Sequence, residues 1–338
     1  MKAVEIVKPG IIRIVERPIP KIKENEVLVR VKAAGICGSD IHIYHGENAF
    51  ATYPRVVGHE FVGELVEVGT GVNDLQVGDR VAIDPVVSCG HCYPCRVGRH
   101  NVCKSLNVLG VHRDGGYQEY VAVAGTQAHK LPNTIPWKIA ALVEPYTIAA
   151  QVMDRGRLAA DDTVLICGAG PIGLIILQAV KMTGARVAIM DIVETRLNWA
   201  KEMGADLVIN AKNSDLVKEM MTFTNNEGAS LIYEATGNIE ILETCIHSIA
   251  SAAGRVVVLG FSTNVVKIPQ VDIMSRELEI IGTRLNNNKF PLVIEWFTKG
   301  LVKPEKILTH TFALEEAQKA FELAGTNPQD VCKIVLEF

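Results

Sequence analysis

Four cysteines, Cys89, Cys92, Cys95 and Cys103, fall in the single run CGHCYPCRVGRHNVC. Soft ligands at that spacing can close a tetrahedron of thiolates, and zinc is the ion that suits it. Four protein ligands leave no position for a substrate, so the run reads as structural, bracing a lobe with little core of its own. Ferredoxin-type clusters place three residues before the last cysteine and a proline after it. Here seven residues separate Cys95 from Cys103 and Lys104 follows. His91 and His100 share the run and read as solvated. A second, scattered set of ligand types comprises Cys37 in GICGSDIH, His59 and Glu60 in GHE, and Glu144 in VEP. A thiolate, an imidazole and a carboxylate around an ion with one open position can activate a substrate. Each also has a plainer reading, as core thiol, satisfied histidine or surface carboxylate, and spacing does not choose.

Gly168, Gly170 and Gly173 spell G-x-G-x-x-G in GAGPIG. The motif follows the apolar strand DTVLIC and opens a helix, and Asp191 ends the next strand about 20 residues on, as a dinucleotide fingerprint requires. Glycines let the backbone approach a pyrophosphate, and the helix N-terminus offers free N–H groups. Asp191 can accept hydrogen bonds from ribose hydroxyls and would repel a 2′-phosphate, which favours NAD over NADP. Pro171, Ile172 and Arg196 complete the expected cofactor set.

The elements that must hold these groups change style along the chain. EVLVRVKAAG, EFVGELVEVG and GDRVAI are β-branched stretches punctuated by glycine, fitting an antiparallel barrel. From about residue 148 strands alternate with helices: PIGLIILQAVKMTG and VETRLNWAKEMG read as helices closed by glycine, and ARVAIMD, DLVIN, SLIYEAT, GRVVVLG and LEIIG as strands. That alternation implies a doubly wound parallel sheet. The helix-like FPLVIEWFTKG and the last strand VCKIVLEF are expected to return to the first domain. The fold class is therefore α/β, with a catalytic domain over 1–147 and 288–338 and a nucleotide domain over 148–287. Cys167, Cys245 and Cys332 read as small core residues.

The 338 residues are 48% hydrophobic and 21% charged, which fits a compact globular chain and not a disordered one. A net charge of -4 gives no reason to expect nucleic acid as a partner. VLICGAGPIGLIILQAV, the longest apolar candidate, is broken by glycines and a proline, so no membrane span is expected. MKAVEIVKPG lacks the apolar core of a signal peptide. Clustered thiols without an export signal suggest metal ligands in a cytoplasmic protein.

GHEFVGELVEVGTGV fits the zinc alcohol dehydrogenase signature, and the Cys37 motif, the four-cysteine run and GAGPIG occur in that family's order. Over essentially its whole length the chain resembles the medium-chain zinc-dependent dehydrogenases. Within them it is most similar to the polyol and sugar-acid branch, near the bacterial starvation-sensing-type enzymes and the L-gulonate and L-galactonate 5-dehydrogenases. YPRVVGHE, DPVVSCGHCYPC, VLGVHRDGGYQEY and FPLVIEWFTKGL carry that closer match. The resemblance implies a GroES-like catalytic barrel beside a Rossmann domain, with NAD and two zinc ions per subunit, one catalytic and one structural. It makes Cys37 and His59 ligands of the catalytic zinc, with Glu60 or Glu144 as the third. Asp40 would orient the ligating histidine, Ser39 would receive the substrate proton and His42 would pass it to solvent. His45 would be ordinary loop surface. The implied reaction oxidises a secondary alcohol of a sugar acid or polyol, with Tyr44, Glu144, Arg284 and Asn286 suited to a polyhydroxylated molecule. Arg284 could pair with a sugar-acid carboxylate or equally contact the cofactor or a neighbouring loop. L-threonine 3-dehydrogenase, or a sorbitol-type polyol dehydrogenase, is the alternative enzyme. A metabolite-sensing regulatory protein is the non-enzymatic one, and the complete Cys37, Ser39, His42 and His59 set argues against it. A zinc-free quinone reductase would not need those ligands. Relatives of this kind form homodimers or homotetramers.

Overall fold

The computed structural model describes residues 1–327 and 329–338. Contacts divide the chain into two units, Met1–Thr147 with Asn286–Phe338, and Ile148–Leu285. Asn286 and Asn287 already belong to the first unit, because their amides donate to Asp84 Oδ1 and Gly98 O.

The first unit is a β structure built mostly from antiparallel strands. A small sheet joins Ile11–Glu16, Lys2–Lys8 and Arg55–Val56 in that order. The larger sheet runs Ala128–Lys130, Arg80–Ile83, Glu60–Val68, Glu26–Ile36, Lys333–Glu337, Leu308–Ala313, and Tyr120–Ala124 also pairs with Glu26–Ile36. The last two strands on that path are parallel, with helix Ala317–Thr326 between them in the chain. Alternation in EVLVRV turns Val27, Val29 and Val31 into a core shared with Phe61, Tyr117, Phe321 and Leu336. The consequence for function lies in the register. Gly35 pairs with Glu60 on one side and with Val335 on the other. The end of Glu26–Ile36 therefore delivers Cys37 beside the first residues of both neighbouring strands, Glu60 and Lys333.

The second unit is a six-stranded parallel sheet ordered Leu207–Asn210, Arg186–Asp191, Thr163–Cys167, Ala229–Glu234, Ala250–Val258, Glu279–Gly282. Numbered within the unit this is 3-2-1-4-5-6, with a change of direction beside Thr163–Cys167, the place where doubly wound sheets bind ligands. Each strand in the middle is an apolar run buried on both faces, as TVLIC is. Cys167 and Cys245 are fully buried in its core, with their sulfurs 3.5 Å apart, and Cys332 is buried in the first unit.

Candidate active site

Two groups of metal-ligand type assemble among the described residues. The sulfurs of Cys89, Cys92, Cys95 and Cys103 all lie within 4.8 Å of one another. Cys92 sits 3.5 Å from Cys95 and 3.7 Å from Cys103. The Lys104 and Cys95 N–H groups bring the Cys92 thiol down to about 6, while burial and the neighbouring Cys92 thiol push Cys95 up to about 11. His91 is exposed and contacts Cys89 O. His100 is half-buried: it opens a 3-10 turn, and its Nδ1 is a buried atom without a hydrogen-bond partner.

The second group is Cys37, His59 and Glu60, whose ligand atoms also lie within 4.8 Å of one another. Cys37 ends the extended strand segment and precedes helix Gly38–His45, whose first turn carries Ser39 and Asp40. Asp40 is wholly buried and acts as a hub. It accepts hydrogen bonds from the Cys37 N–H at 2.9 Å and the Gly58 N–H at 3.3 Å, and the Tyr117 hydroxyl lies 3.0 Å away. Its Oδ1 is 3.6 Å from His59 Nδ1. Burial opposes ionisation of Asp40, yet His59, the Cys37 N–H and Tyr117 together hold its carboxyl below the usual range. Burial likewise opposes a charged His59, but Cys37 and Asp40 raise it well above the ordinary value, so the cluster attracts positive charge. Two glycines allow this packing. A Cβ at Gly58, whose φ is +92°, would strike the Tyr117 ring at 2.3 Å, and one at Gly35 would meet Glu60 Oε2 at 2.2 Å.

A divalent ion fits this donor set. Glu60 Oε2 is buried with no hydrogen-bond partner, beside a thiol and an imidazole. The fourth expected ligand behaves differently. Glu144 is buried in the first turn of helix Val143–Gly156 but lies outside the three-residue set. Burial pushes its carboxyl up to about 8, with Glu60 and Asp84 adding to the rise and His59 and Lys333 opposing it.

Other expected residues spread out. His42 is exposed on the same helix as Ser39, and its Nδ1 meets Glu47 Oε2 at 2.7 Å. His45 is the exposed last residue of that helix, not part of a loop. Tyr44 is less available than expected, because its hydroxyl donates to Gly10 O and accepts from Gln318. Arg284 is exposed and belongs to the second unit, whereas Asn286 is 1% exposed and belongs to the first. Three residues that the sequence reading passed over also belong here: Tyr117, Asp84 and Lys333. Lys333 is 4% exposed, with Nζ 2.5 Å from Glu60 Oε1. A lysine and an aspartate inside the apolar strand patterns CKIVL and VAIDPV were the signal that could have revealed two of them.

In the second unit the three glycines do three different things. Gly168 has φ +99°, a turn that glycine makes without cost. At Gly173 a Cβ would lie 1.8 Å from Gly168 O, so the helix Pro171–Lys181 packs too close for any side chain. Gly170 has an unstrained φ of −68°, and a Cβ there would meet nothing within 4 Å, leaving open space at the helix N-terminus. Pro171 and Ile172 follow it in the first turn. Asp191 accepts from the Ala169 N–H at 2.7 Å and from the Ile192 and Val193 N–H groups at 2.7 and 3.0 Å. Its carboxylate is thereby fixed while a lone pair remains for a ligand. Arg196 is half-buried in helix Glu194–Glu202 nearby in sequence.

Fold, cysteine lobe, ligand cluster and glycine turn together define a zinc-dependent medium-chain dehydrogenase. The chain belongs to that family: residues 23–133 match the alcohol dehydrogenase GroES-like domain and residues 171–299 the zinc-binding dehydrogenase domain. It is thus an oxidoreductase acting on CH–OH donors, in a family whose cofactors are a nicotinamide dinucleotide and zinc. It is 48% identical over 340 residues to the starvation-sensing protein RspB of Escherichia coli, covering 100% of this chain and 99% of that protein. It is 33% identical over 342 residues to the sorbitol dehydrogenase of Bacillus subtilis, covering 99% and 97%. The crystal structure of an E. coli rspB alcohol dehydrogenase with NADH superposes with a TM-score of 0.95 at 46% identity, covering 100% of this chain and 99% of that one. Among the described residues no helix is long and apolar enough to cross a membrane.

Proposed function

We propose that this chain oxidises a secondary alcohol of a sugar acid or polyol to the ketone and passes the hydride to NAD. The Cys37–His59–Glu60 set, in which His59 and Glu60 are buried, carries this reading. Zinc held there would act as a Lewis acid on the substrate hydroxyl. Asp40 orients His59 and, through the Cys37 N–H, fixes the start of the helix that bears Ser39 and His42. Ser39 takes the hydroxyl proton, and the exposed His42, bonded to Glu47, hands it to water. Loss of hydride without loss of that proton would leave a protonated carbonyl, so a path for the proton is needed. Asp191, already oriented by three backbone donors, reads the adenosine ribose and disfavours a 2′-phosphate.

The substrate class is supported by a buried polar group in the first unit. Asn286 donates to Asp84 at 3.3 Å, and its Oδ1 is buried with no partner. Asp84 lies near enough to Glu144 to raise its carboxyl. Hydroxyl-rich molecules satisfy such groups; an unsubstituted alkyl alcohol would leave them unmet. Zinc-loaded protein should be screened for NADH formation over sugar acids, polyols, threonine and simple alcohols. Turnover confined to threonine would replace this reading with a threonine dehydrogenase. Turnover confined to simple alcohols would remove the argument from Asn286. Binding of a sugar acid with no turnover would favour a sensor.

A further inference from the structure

Lys333 stands among the proposed metal ligands with no role in the mechanism above. Its Nζ lies 2.5 Å from Glu60 Oε1, and the two side chains are 4% and 1% exposed. An ammonium is buried this deeply only where a specific partner is held close to it. Its electrostatic neighbours are Glu60, Cys37 and Glu144, all groups of ligand type. The placement is set by the sheet, because Lys333 begins the strand whose Ile334 pairs with Ile36, next to Cys37. The other oxygen of the same carboxylate, Oε2, has no hydrogen-bond partner. The two oxygens of Glu60 are therefore unlike: one is engaged by a cation and one is free.

We propose that Lys333 is a positioning residue that holds Oε1 of Glu60, so that only Oε2 is offered to the metal at Cys37 and His59. The inference rests on reading Cys37, His59 and Glu60 as metal ligands. Two effects follow. A carboxylate tethered by one oxygen cannot close on the ion with both, which preserves a position for substrate. Sharing its charge with an ammonium also makes it a weaker donor, which leaves the ion a stronger Lewis acid.

A purely structural role predicts the opposite sign in a measurable quantity. If Lys333 only supports the fold, its loss loosens the site and weakens metal binding. If it restrains Glu60, its loss tightens binding, because a positive charge leaves the neighbourhood of a dication and the second oxygen is released. The test uses full-length protein from which the exchangeable metal has been removed while the four-cysteine site stays filled. Zinc affinity is measured by competition with a chromogenic chelator, and cobalt(II) is titrated as a spectroscopic probe. Lys333→Met should bind zinc roughly tenfold more tightly. Its cobalt bands should weaken as coordination number rises, and kcat should fall with the KM for NAD unchanged. Lys333→Arg should restore the parent behaviour. Affinity and cobalt spectrum equal to the parent, or weaker binding in a variant whose circular dichroism is native, would overturn the inference. Should Lys333→Met not fold, Lys333→Leu, also uncharged and unable to hydrogen-bond Glu60, is read by the same criteria. A parent protein that binds no metal here would remove the ligand reading itself, a result distinct from equal binding in parent and variant.

Discussion

Two alanine substitutions three residues apart should have opposite signatures. At Gly173 the new methyl would stand 1.8 Å from Gly168 O, a backbone atom of the strand-to-helix turn. That is about 1 Å inside any contact found in close-packed interiors, and neither partner is a flexible side chain. The helix Pro171–Lys181 must shift, at a cost of about 1–3 kcal/mol, which lowers the melting temperature by about 2–4 °C per kcal/mol. At Gly170 the methyl meets nothing within 4 Å, and the φ of −68° suits any residue. Gly170→Ala should therefore leave stability within about 0.5 kcal/mol of the parent. A methyl there would nevertheless occupy the space through which a pyrophosphate reaches the helix N-terminus. Losing one charge-assisted hydrogen bond of about 1.5–3 kcal/mol weakens NADH binding about tenfold to a hundredfold. Thermal unfolding and NADH fluorescence titration read the two effects separately. Parent-like NADH affinity in Gly170→Ala would refute the view that this open space receives the phosphates. An unchanged melting temperature in Gly173→Ala would refute the packing argument.

Asp191→Ala should raise the NADP to NAD ratio of kcat/KM, and a ratio that stays at the parent value would show that another group discriminates. Burial pushes the Asp84 carboxyl up to about 6 from 3.8, so the folded chain holds this proton more tightly than the unfolded one. Its contribution favours folding below the unfolded value and is lost as pH rises through about 6, beyond which the buried charge costs up to about 3 kcal/mol. Asp84→Asn should thus gain stability over the parent between about pH 4 and pH 6 and keep that gain above; a difference in denaturant midpoint that does not change across this range would contradict it.

The chemistry legible in the sequence was chemistry written in short local patterns. The four-cysteine run, GAGPIG with its following strand and aspartate, and the glycine-closed helices need only neighbouring residues to be recognised. The grouping of Cys37 with His59 and Glu60 was not legible from spacing, because it depends on which strands pair and in what register. Lys333 was missed for the same reason: it lies 273 residues from Glu60 in the chain. Its one local sign was a charged residue inside a buried strand. Tyr117 left no sign at all, since an aromatic beside two glycines is ordinary, and only the left-handed turn at Gly58 makes room for its ring against Asp40. Tyr44 and His100 are both half-buried, and the Tyr44 hydroxyl is engaged by Gly10 O and Gln318; a side chain's type does not reveal what it packs against.

One chain is expected to carry two zinc positions of different character, one closed by four thiolates and one built to act on substrate. Elemental analysis of purified protein, parent beside Cys37→Ala, tests it most directly. The expected result is about two zinc ions per chain in the parent and about one in the variant, with turnover lost and NADH affinity retained. A parent holding a single zinc, or a variant whose zinc content and activity match the parent, would overturn the assignment of a second, catalytic zinc to Cys37.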